Sequence, residues 1–366
     1  MTSSPTHTLG QVALIGSGET AANGGRAFEV LASALPVPLE IAVLETPAGF
    51  ELNSDRVAGR VVDFMSVRLQ NYRPQIALIP ARRRQPPFST DDTAILAPLS
   101  HSHLIYMGAG SPSYTVRQLS GSLAWHMILG RHLLGASLAL ASAATIALGA
   151  WALPVYEIYK VGEDPHWKPG LNFFGRFGLS LAVIPHWNNT DGGAELDTSC
   201  CFMGRQRFDL LAAMLPAETT ILGIDEHTTL LFDLSAGQGR VLGTSAVHIR
   251  RAGQERFFES GETFPLTELG PFKLPVNPWA DLPAEIRPIF ESARQERQQQ
   301  QCLNETPPPE ALALLEARQQ ARSRREWSLA DSYRAQLAAL GWQVQDTPTG
   351  PRLEPLRSSS DSCRSS

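Results

Sequence analysis

The chain has 366 residues, of which 43% are hydrophobic, and a formal net charge of -5. This length is enough for one large domain or two smaller ones with a sizeable core. The negative charge excludes a general electrostatic attraction to nucleic acids or anionic membranes.

Five short apolar runs in the first 150 residues are typical of buried parallel strands. They cover residues 12–18, 39–46, 74–81, 103–110 and 136–142. The intervening segments RAFEVLASAL and DRVAGRVVDFMSVRLQ carry apolar residues at helical spacing. The alternation predicts an α/β fold, with a mostly parallel sheet and helices on both faces. Further along, TTLLFDL and GRVLGTSAVHIRR flank SAGQG, which indicates an antiparallel hairpin at the sheet edge.

The apolar run 133–155 is long enough for a membrane helix. It consists mostly of Ala, Gly and Ser, contains Pro154, and lacks the asymmetric basic flanks that set membrane topology. We therefore predict a buried strand followed by a buried helix, and no membrane association.

The composition changes after residue 270, where proline and then glutamine become frequent. We predict an α/β domain over 1–275, a Pro/Gln-rich linker over 276–309, a helical unit over 310–357 and a disordered tail over 358–366. The second helix of that unit is predicted to begin at Ser328, with Asp331 completing a capping box.

The four cysteines are few and lack zinc-ligand spacing, and the N-terminus does not have the basic and then apolar order of a signal peptide. The sequence therefore predicts a cytoplasmic protein with no metal site and no cofactor.

Ligands of open α/β sheets bind beyond the carboxyl ends of the strands. Those ends read GSGET (16–20), ETPAGF (45–50), GAGSPSY (108–114) and ASAAT (141–145). In the last of these, Ser142 stands between two alanines where a strand should turn sharply into a helix. That pattern is typical of a nucleophile elbow, although an inert serine at a strand end is the alternative.

A nucleophilic serine needs a base, normally a histidine oriented by an acid. Among nine histidines, His186 stands out because it ends the apolar strand LSLAVIPHW and begins the polar loop NNTDGG. The acid could come from ILGIDEHTT, where Asp225 and Glu226 follow another buried strand. Two adjacent carboxylates are costly to bury unless paired, so one of them should face a cation or a hydrogen-bond donor.

These segments, together with GRQRFDLL, resemble the cyanophycinase and dipeptidase E family of serine peptidases over residues 10–250. That family has a fold similar to class I glutamine amidotransferases. The resemblance implies that Ser142 is the nucleophile, His186 the general base and Glu226 the orienting acid. The dipeptidase branch places its acid between serine and histidine, so Glu157 is the second choice.

The strand ends also supply predicted substrate and oxyanion groups. Glycines there let backbone N–H groups approach a ligand, and the polar side chains suit a small polar or peptide-like substrate. The predicted substrate-binding residues are Gly16, Ser17, Gly18, Glu19, Gly108, Gly110, Ser111, Asn188, Asn189 and Asp191. The N–H groups of Ala143 and Gly110 are the predicted oxyanion donors.

The segment from Glu316 to Leu356 resembles the C-terminal helical segment of cysteinyl-tRNA synthetases. The synthetase catalytic motifs are missing. The similarity rests on the sequence DTPTG and on Arg318, Arg322, Trp327, Ala330, Asp331, Arg334, Leu337 and Gly341. In that family the segment lies near the tRNA anticodon arm, so tRNA is a candidate partner. An accessory helical domain is the interpretation we favour, because acidic residues offset the arginines.

The sequence also leaves two alternatives to a hydrolase. A nucleotide-binding domain is suggested by Gly16, Gly18 and Ala21, which fit G-x-G-x-x-A after a strand, but ANGGR (22–26) disfavours the helix that this motif requires. The other alternative is a non-catalytic protein that keeps the fold and binds a ligand or tRNA, since Ala144 replaces the family's usual glycine.

Overall fold

The computed structural model describes residues 9–286, 288–290, 307–347 and 350–355. The chain divides into two compact units, Met1–Phe290 and Glu291–Ser366. The predicted tail and residues 291–306 of the predicted linker lie outside the described residues. Residues 276–290, also predicted as linker, carry three buried apolar side chains in the first unit, those of Leu282, Ile286 and Phe290.

The first unit contains an eight-stranded sheet whose central strands are parallel. Its order is β14-β11-β10-β1-β5-β4-β2-β3. The strands are β1 (Val12–Ile15), β2 (Glu40–Leu44), β3 (Gln75–Ile79), β4 (Leu104–Met107), β5 (Ser137–Ala141), β10 (Thr228–Asp233), β11 (Gln238–Gly243) and β14 (Thr263–Pro265). Strands β1, β4 and β5 are buried along their whole length, which explains their unbroken apolar sequences.

A second sheet of six strands completes the first unit, with the order β13-β12-β9-β8-β6-β7. Its strands are β6 (Trp151–Ala152), β7 (Lys168–Pro169), β8 (Leu181–Ile184), β9 (Thr220–Ile224), β12 (Ala246–Arg251) and β13 (Gln254–Glu259). Strand β8 is parallel to β6 and β9, whereas β12 is antiparallel to β9.

Helices separate most of the parallel strands, as the alternating pattern predicts. They are α1 (Ala22–Ala32), α2 (Ser54–Arg68), α3 (Thr93–Leu96), α4 (Pro112–Leu119), α5 (Leu123–Leu133), α6 (Ala143–Ala147), the short turn α7 (Ser199–Phe202) and α8 (Arg205–Ala213). The apolar sides of α1 and α2 pack on one core cluster with β1, β2, β4 and β5. The predicted α/β fold is confirmed; its strands form two mixed sheets, which combine parallel and antiparallel pairs.

The hairpin predicted around SAGQG is present, since β10 and β11 are antiparallel with Asp233 opposite Gln238. The sequence GRVLGTSAVHIRR suggests one continuous strand after the turn, but the structure has two. The strand breaks after Gly243, and β12 joins the other sheet. The side-chain oxygen of Asp225 accepts hydrogen bonds from Ser245 Oγ and the Ala246 N–H group, which fixes the crossing.

The apolar run around Ser142 forms a buried strand, β5, and a buried helix, α6, as predicted. Within the described parts of the chain, no helix is both long and apolar enough to span a membrane. The expectation that ANGGR would resist helix formation is wrong, because α1 begins at Ala22 and includes both glycines. Local propensity is overridden there: the helix buries Phe28 and Leu31 against the sheet.

The second unit contains helices α9 (Pro309–Ser323) and α10 (Trp327–Ala339), followed by a hairpin of β15 (Trp342–Thr347) and β16 (Gly350–Pro355). A small core joins Ala311, Leu337 and Trp342. The predicted capping box is wrong, because α10 begins one residue before Ser328, and its N-cap, Glu326, makes no side-chain capping bond. The helical unit predicted over 310–357 does not include this hairpin, which follows the two helices.

Candidate active site

Strand β5 ends in a sharp turn that presents Ser142. The backbone of Ser142 has φ 50° and ψ -112°, a conformation that non-glycine residues rarely adopt. This backbone conformation costs about 1–3 kcal/mol, and it persists only where the surrounding structure imposes it. Ala141 and Ala143, on either side, are both buried, so there is little room for larger neighbours. The predicted sharp turn from strand to helix lies at this position, and a nucleophilic role of Ser142 stays a prediction.

His186 follows β8 and brings its ring to the serine. Its Nε2 lies 3.1 Å from Ser142 Oγ, and its backbone also has a positive φ of 52°. The His186 N–H group donates to the carbonyl of Gly16, and its own carbonyl accepts from the Cys201 N–H group. These bonds fix the backbone on both sides of the ring.

Glu226 follows β9 and meets the other ring nitrogen. Its Oε1 lies 3.0 Å from His186 Nδ1 and accepts a hydrogen bond from Asn189 Nδ2 at 2.9 Å. The Glu226 N–H group donates to Asn188 Oδ1 at 2.8 Å. The hydrogen bond from His186 is the main reason that the pKa of Glu226 is lowered, and that from Asn189 adds to it against the opposing effect of burial. The carboxyl group is therefore ionised at neutral pH.

Asp225, the neighbouring carboxylate, serves a separate cluster. Its Oδ2 accepts from Ser245 Oγ at 2.6 Å, and its Oδ1 lies 3.2 Å from His248 Nε2. Burial alone would raise the pKa of Asp225, but the bonds from His248 and Ser245 outweigh it and the net shift is downward. The sequence predicts that at least one of the two adjacent carboxylates is paired. Both Asp225 and Glu226 have partners in the structure. His248 could not be predicted from the sequence, because it lies on a strand without any motif.

Glu157, the second-choice acid, lies away from the His186 ring contacts. Its Oε1 accepts from Lys168 Nζ at 2.9 Å. Burial raises the pKa of Glu157, but the neighbouring polar groups of Ser113 and Lys168 lower it by more, so the net shift is downward and the group stays ionised. It begins a π-helical turn, Glu157–Val161, a feature that is often found at functional sites.

The predicted oxyanion donors, Gly110 and Ala143, line the same cavity as Ser142. Ala143 is the first residue of α6, so its N–H group has no acceptor inside the helix. Gly110 lines the same cavity as Ser142. Its φ is 147°, and a side chain there would collide with the carbonyl oxygen of Pro47, so only glycine fits this turn.

The predicted substrate residues are distributed over several environments. Ser17 Oγ accepts from the His227 N–H group, and the His227 ring occupies the space beside Gly18. Glu19 and Gly108 line a separate cavity of about 40 Å³. The Gly16 N–H group donates to the Thr228 carbonyl.

The other predicted substrate residues lie in two loops. Ser111 caps α4 by accepting from the Tyr114 N–H group. Asn188 and Asn189 both contact Glu226, and Asp191 is exposed, with its N–H group bonded to Asn189 Oδ1. Of the ten predicted substrate residues, only Gly110 lines the cavity that contains Ser142.

Two cavities open on the segment around Tyr156. The first, of about 210 Å³, contains Ser142, Ala143 and His186 and has walls from α4, α6 and residues 155–160. The second, of about 620 Å³, is lined by polar groups that include Arg117, Glu157 and Lys168. Tyr156 borders both cavities. Sequence analysis does not identify residues 155–161 as cavity-forming, because they follow an apolar run and carry no motif.

The turn α7 places Phe202 in the wall of the first cavity. Cys200, Cys201 and Phe202 all have positive φ, from 53° to 66°, and this left-handed conformation costs about 1–2 kcal/mol for each residue. The Cys200 and Cys201 N–H groups donate to the carbonyls of Trp187 and His186, which ties the turn to the loop that carries the histidine.

The fold of the chain is similar to that in a crystal structure of a peptidase from an acI-B1 Actinobacterium. The TM-score is 0.56 and the sequence identity is 21%, over 71% of this chain and 98% of that chain. At this identity the likeness concerns the fold alone. The resemblance of the α/β unit to a peptidase fold, predicted from the sequence, is confirmed.

The C-terminal segment matches a different family. Residues 306–350 match the model of the cysteinyl-tRNA ligase anticodon binding domain. The cysteine–tRNA ligase of Chlamydia felis is 39% identical over 49 residues, and cysteine–tRNA ligase 1 of Burkholderia lata is 48% identical over 46 residues; each match covers 13% of this chain and 10% of the ligase. The chain thus spans about a tenth of the length of these relatives. The predicted resemblance of this segment is confirmed.

Proposed function

We propose that the first unit is a serine hydrolase of the peptidase or amidase type. The observation that carries the proposal is the continuous series of contacts from Ser142 Oγ through the His186 ring to Glu226 Oε1, at 3.1 and 3.0 Å. A serine, a histidine and an ionised carboxylate in this order make up the catalytic arrangement of many acyl-transfer enzymes. The peptidase-like fold and the strained backbone of Ser142 give further support.

In the proposed reaction, Ser142 Oγ attacks the substrate carbonyl carbon while His186 Nε2 takes the hydroxyl proton. Glu226 holds the ring in the tautomer that leaves Nε2 free, and stabilises the positive charge that develops on it. The carbonyl oxygen becomes negative and accepts hydrogen bonds from the N–H groups of Gly110 and Ala143.

The leaving amine then takes the proton from His186 as the carbon–nitrogen bond breaks, which leaves an acyl group on Ser142. Water attacks this ester, His186 removes a proton from the water, and that proton returns to Ser142 Oγ when the acid departs. No metal ion or cofactor takes part in the scheme. The substrate class is small and peptide-like.

Labelling with a fluorophosphonate probe tests this proposal, because only an activated serine reacts with it quickly. The wild-type protein should be labelled on Ser142, and Ser142→Ala should not be labelled. Ser245→Ala is the matched control: Ser245 also lies near a histidine and an acid, but its hydroxyl donates directly to Asp225, so the variant should label normally. A folded wild-type protein that never labels would show that the first unit is not a serine hydrolase.

We further propose that the second unit binds RNA that resembles a tRNA anticodon arm. The specific observation in favour is the match of residues 306–350 to an anticodon binding domain. Arg324, Arg325 and Arg334 have exposed side chains there, and they suit phosphate contacts.

Filter binding of total tRNA tests the second role. The full chain should bind with an affinity that falls as the salt concentration rises, because phosphate contacts release counterions. A chain that ends at residue 290 should not bind, and should still be labelled at Ser142. Absence of binding at 50 mM salt, or equal binding by the shortened chain, would contradict the role proposed for this unit.

A further inference from the structure

The cavity that contains Ser142 has mostly apolar walls. They are formed by Pro112, Ile146, Val155, Tyr159 and Phe202. Ile146 and Val155 are buried, and the rings of Tyr159 and Phe202 lie 5.5 Å apart at a tilt of 37°. Because the attacking hydroxyl and the Ala143 N–H group border the same space, the substrate side chain nearest the attacked carbonyl is the one within reach of these walls.

The size of the cavity suits one side chain. Its volume is about 210 Å³, whereas pockets for drug-sized ligands measure about 300–1,000 Å³. A branched aliphatic or aromatic side chain fills such a space and replaces water at the apolar walls.

Among the residues that line this cavity in the described part of the chain, Lys160 is the only Lys, Arg, Asp or Glu. Lys160 is exposed, and its Nζ lies 4.9 Å from the centre of the Tyr159 ring. A substrate carboxylate inside the cavity would lose its hydration and gain only this solvent-screened cation. The walls thus favour an apolar group over an acidic one.

The left-handed turn α7 holds the Phe202 ring in the wall of this cavity, close to His186. The Phe202 ring lies 5.9 Å from the His186 ring and 5.5 Å from the Tyr159 ring. Three consecutive residues with positive φ are an unfavourable way to build an ordinary loop. Strain of this kind is found where a side chain must be held at a functional position, and the side chain held here is an aromatic ring beside the base.

We propose that this cavity is a specificity pocket for an apolar side chain, aliphatic or aromatic, on the residue whose carbonyl is attacked. Phe202 forms the wall that selects it. The inference rests on the proposed hydrolase function and names its substrate class: peptides or amides with leucine-like or phenylalanine-like residues on the acyl side of the cleaved bond.

Diphenyl phosphonate analogues of leucine and of aspartate test the pocket, each made with a free and with an acetylated amino group. Ser142 Oγ forms a bond to phosphorus, a phenoxide leaves, and the hydroxyl proton passes through His186 to the phenoxide. The rate of covalent modification, measured by intact mass, reports which side chain the pocket accepts. We expect the leucine analogue to react at least about tenfold faster than its aspartate counterpart.

Two substitutions of aromatic residues distinguish an effect on the pocket from an effect on the stability of the fold. Phe202→Ala should reduce the preference for leucine at least about fivefold. Phe257→Ala removes an exposed ring on β13 that does not line the cavity, and it should keep the wild-type preference. Thermal melting of both variants shows whether they fold. If Phe202→Ala does not fold, the wild-type comparison of the two analogues still decides the question.

The outcomes distinguish this inference from the function on which it rests. Labelling of Ser142 by the fluorophosphonate, together with equal or faster reaction of the aspartate analogue, would overturn the pocket assignment and leave the hydrolase intact. Lys160→Gln would then abolish the aspartate preference if the lysine were responsible. No reaction of Ser142 with any of these probes overturns both proposals.

Discussion

Asn189 and His186 contact the same carboxylate oxygen, Glu226 Oε1, at 2.9 and 3.0 Å. Asn189 is almost fully buried, at 2% exposure, and its own Oδ1 accepts from the Asp191 N–H group. The carboxylate is therefore held from two directions, and we propose that Asn189 positions it beside His186. A carboxylate oriented in this way keeps the histidine ring in a single tautomer.

Asn189→Ala should slow fluorophosphonate labelling of Ser142 by about tenfold, on the scale reported for the loss of one supporting hydrogen bond. The Asn189 amide lowers the pKa of Glu226, so its removal raises that pKa. The acid limb of the labelling rate should therefore move to higher pH. Asn188→Ala is the control, because Asn188 contacts only the backbone N–H group of Glu226; a pH shift as large in this variant would contradict the assignment.

Glu226→Gln should reduce the labelling rate by about 10³–10⁴, because a wrong histidine tautomer has effects of that size in related arrangements. Glu157→Gln should reduce it less than about tenfold, since the partner of Glu157 is Lys168 and the carboxylate beside the His186 ring is that of Glu226. Rates are compared at pH 7.5 on folded variants. The opposite order would assign the acid to Glu157.

His132→Leu should make the protein less sensitive to acid. The ring of His132 is completely buried, and burial lowers its pKa from 6.5 to about 3. Between these values the unfolded chain binds a proton that the folded protein does not, so the free energy of unfolding falls as the pH drops. At pH 4.5 this amounts to about 2–3 kcal/mol.

Urea unfolding at pH 7 and pH 4.5 measures this effect. Between pH 7 and pH 4.5, the free energy of unfolding should fall by about 2–3 kcal/mol less in His132→Leu than in the wild type. His101→Leu is the control, because His101 is exposed, and it should retain the wild-type pH dependence. An equal loss in the wild type and in His132→Leu would show that the His132 ring is not buried in its neutral form.

Cys200 and Cys201 should resist alkylation in the folded protein. Burial raises the pKa of Cys200 to about 11 and that of Cys201 further. At pH 7.5 about 0.03% of Cys200 is then thiolate, the reactive form. Iodoacetamide should modify the peptide that contains both residues only after denaturation, and should leave the labelling of Ser142 unchanged. Rapid modification of the native protein would contradict this assignment of the cysteines.

Two shortened chains test where the first unit ends. A chain that ends at residue 290 should melt close to the full protein, because that is where the compact unit ends. A chain that ends at residue 275 loses the buried side chains of Leu282, Ile286 and Phe290, and each such loss costs about 2–5 kcal/mol. It should melt at a clearly lower temperature. Equal melting of the two shortened chains would support the boundary predicted from composition, at residue 275.

The sequence alone determined the fold class and the positions of the central strands. Strands such as β1 and β5 are buried on both faces, and strands of this kind have unbroken apolar sequences that can be recognised without the structure. The candidate nucleophile and base could be proposed for a related reason: small residues around Ser142 and the end of an apolar strand at His186 are local patterns.

Only the tertiary structure decided which groups meet. The contacts of Asn189 with Glu226, of His248 with Asp225 and of Phe202 with Tyr159 join residues that lie 37, 23 and 43 positions apart. No periodicity or motif encodes such pairs, because they depend on how loops fold over the ends of two different sheets. The cavity beside Ser142 arises in the same way: its walls come from four separate segments, and its apolar character emerges only once these segments pack together.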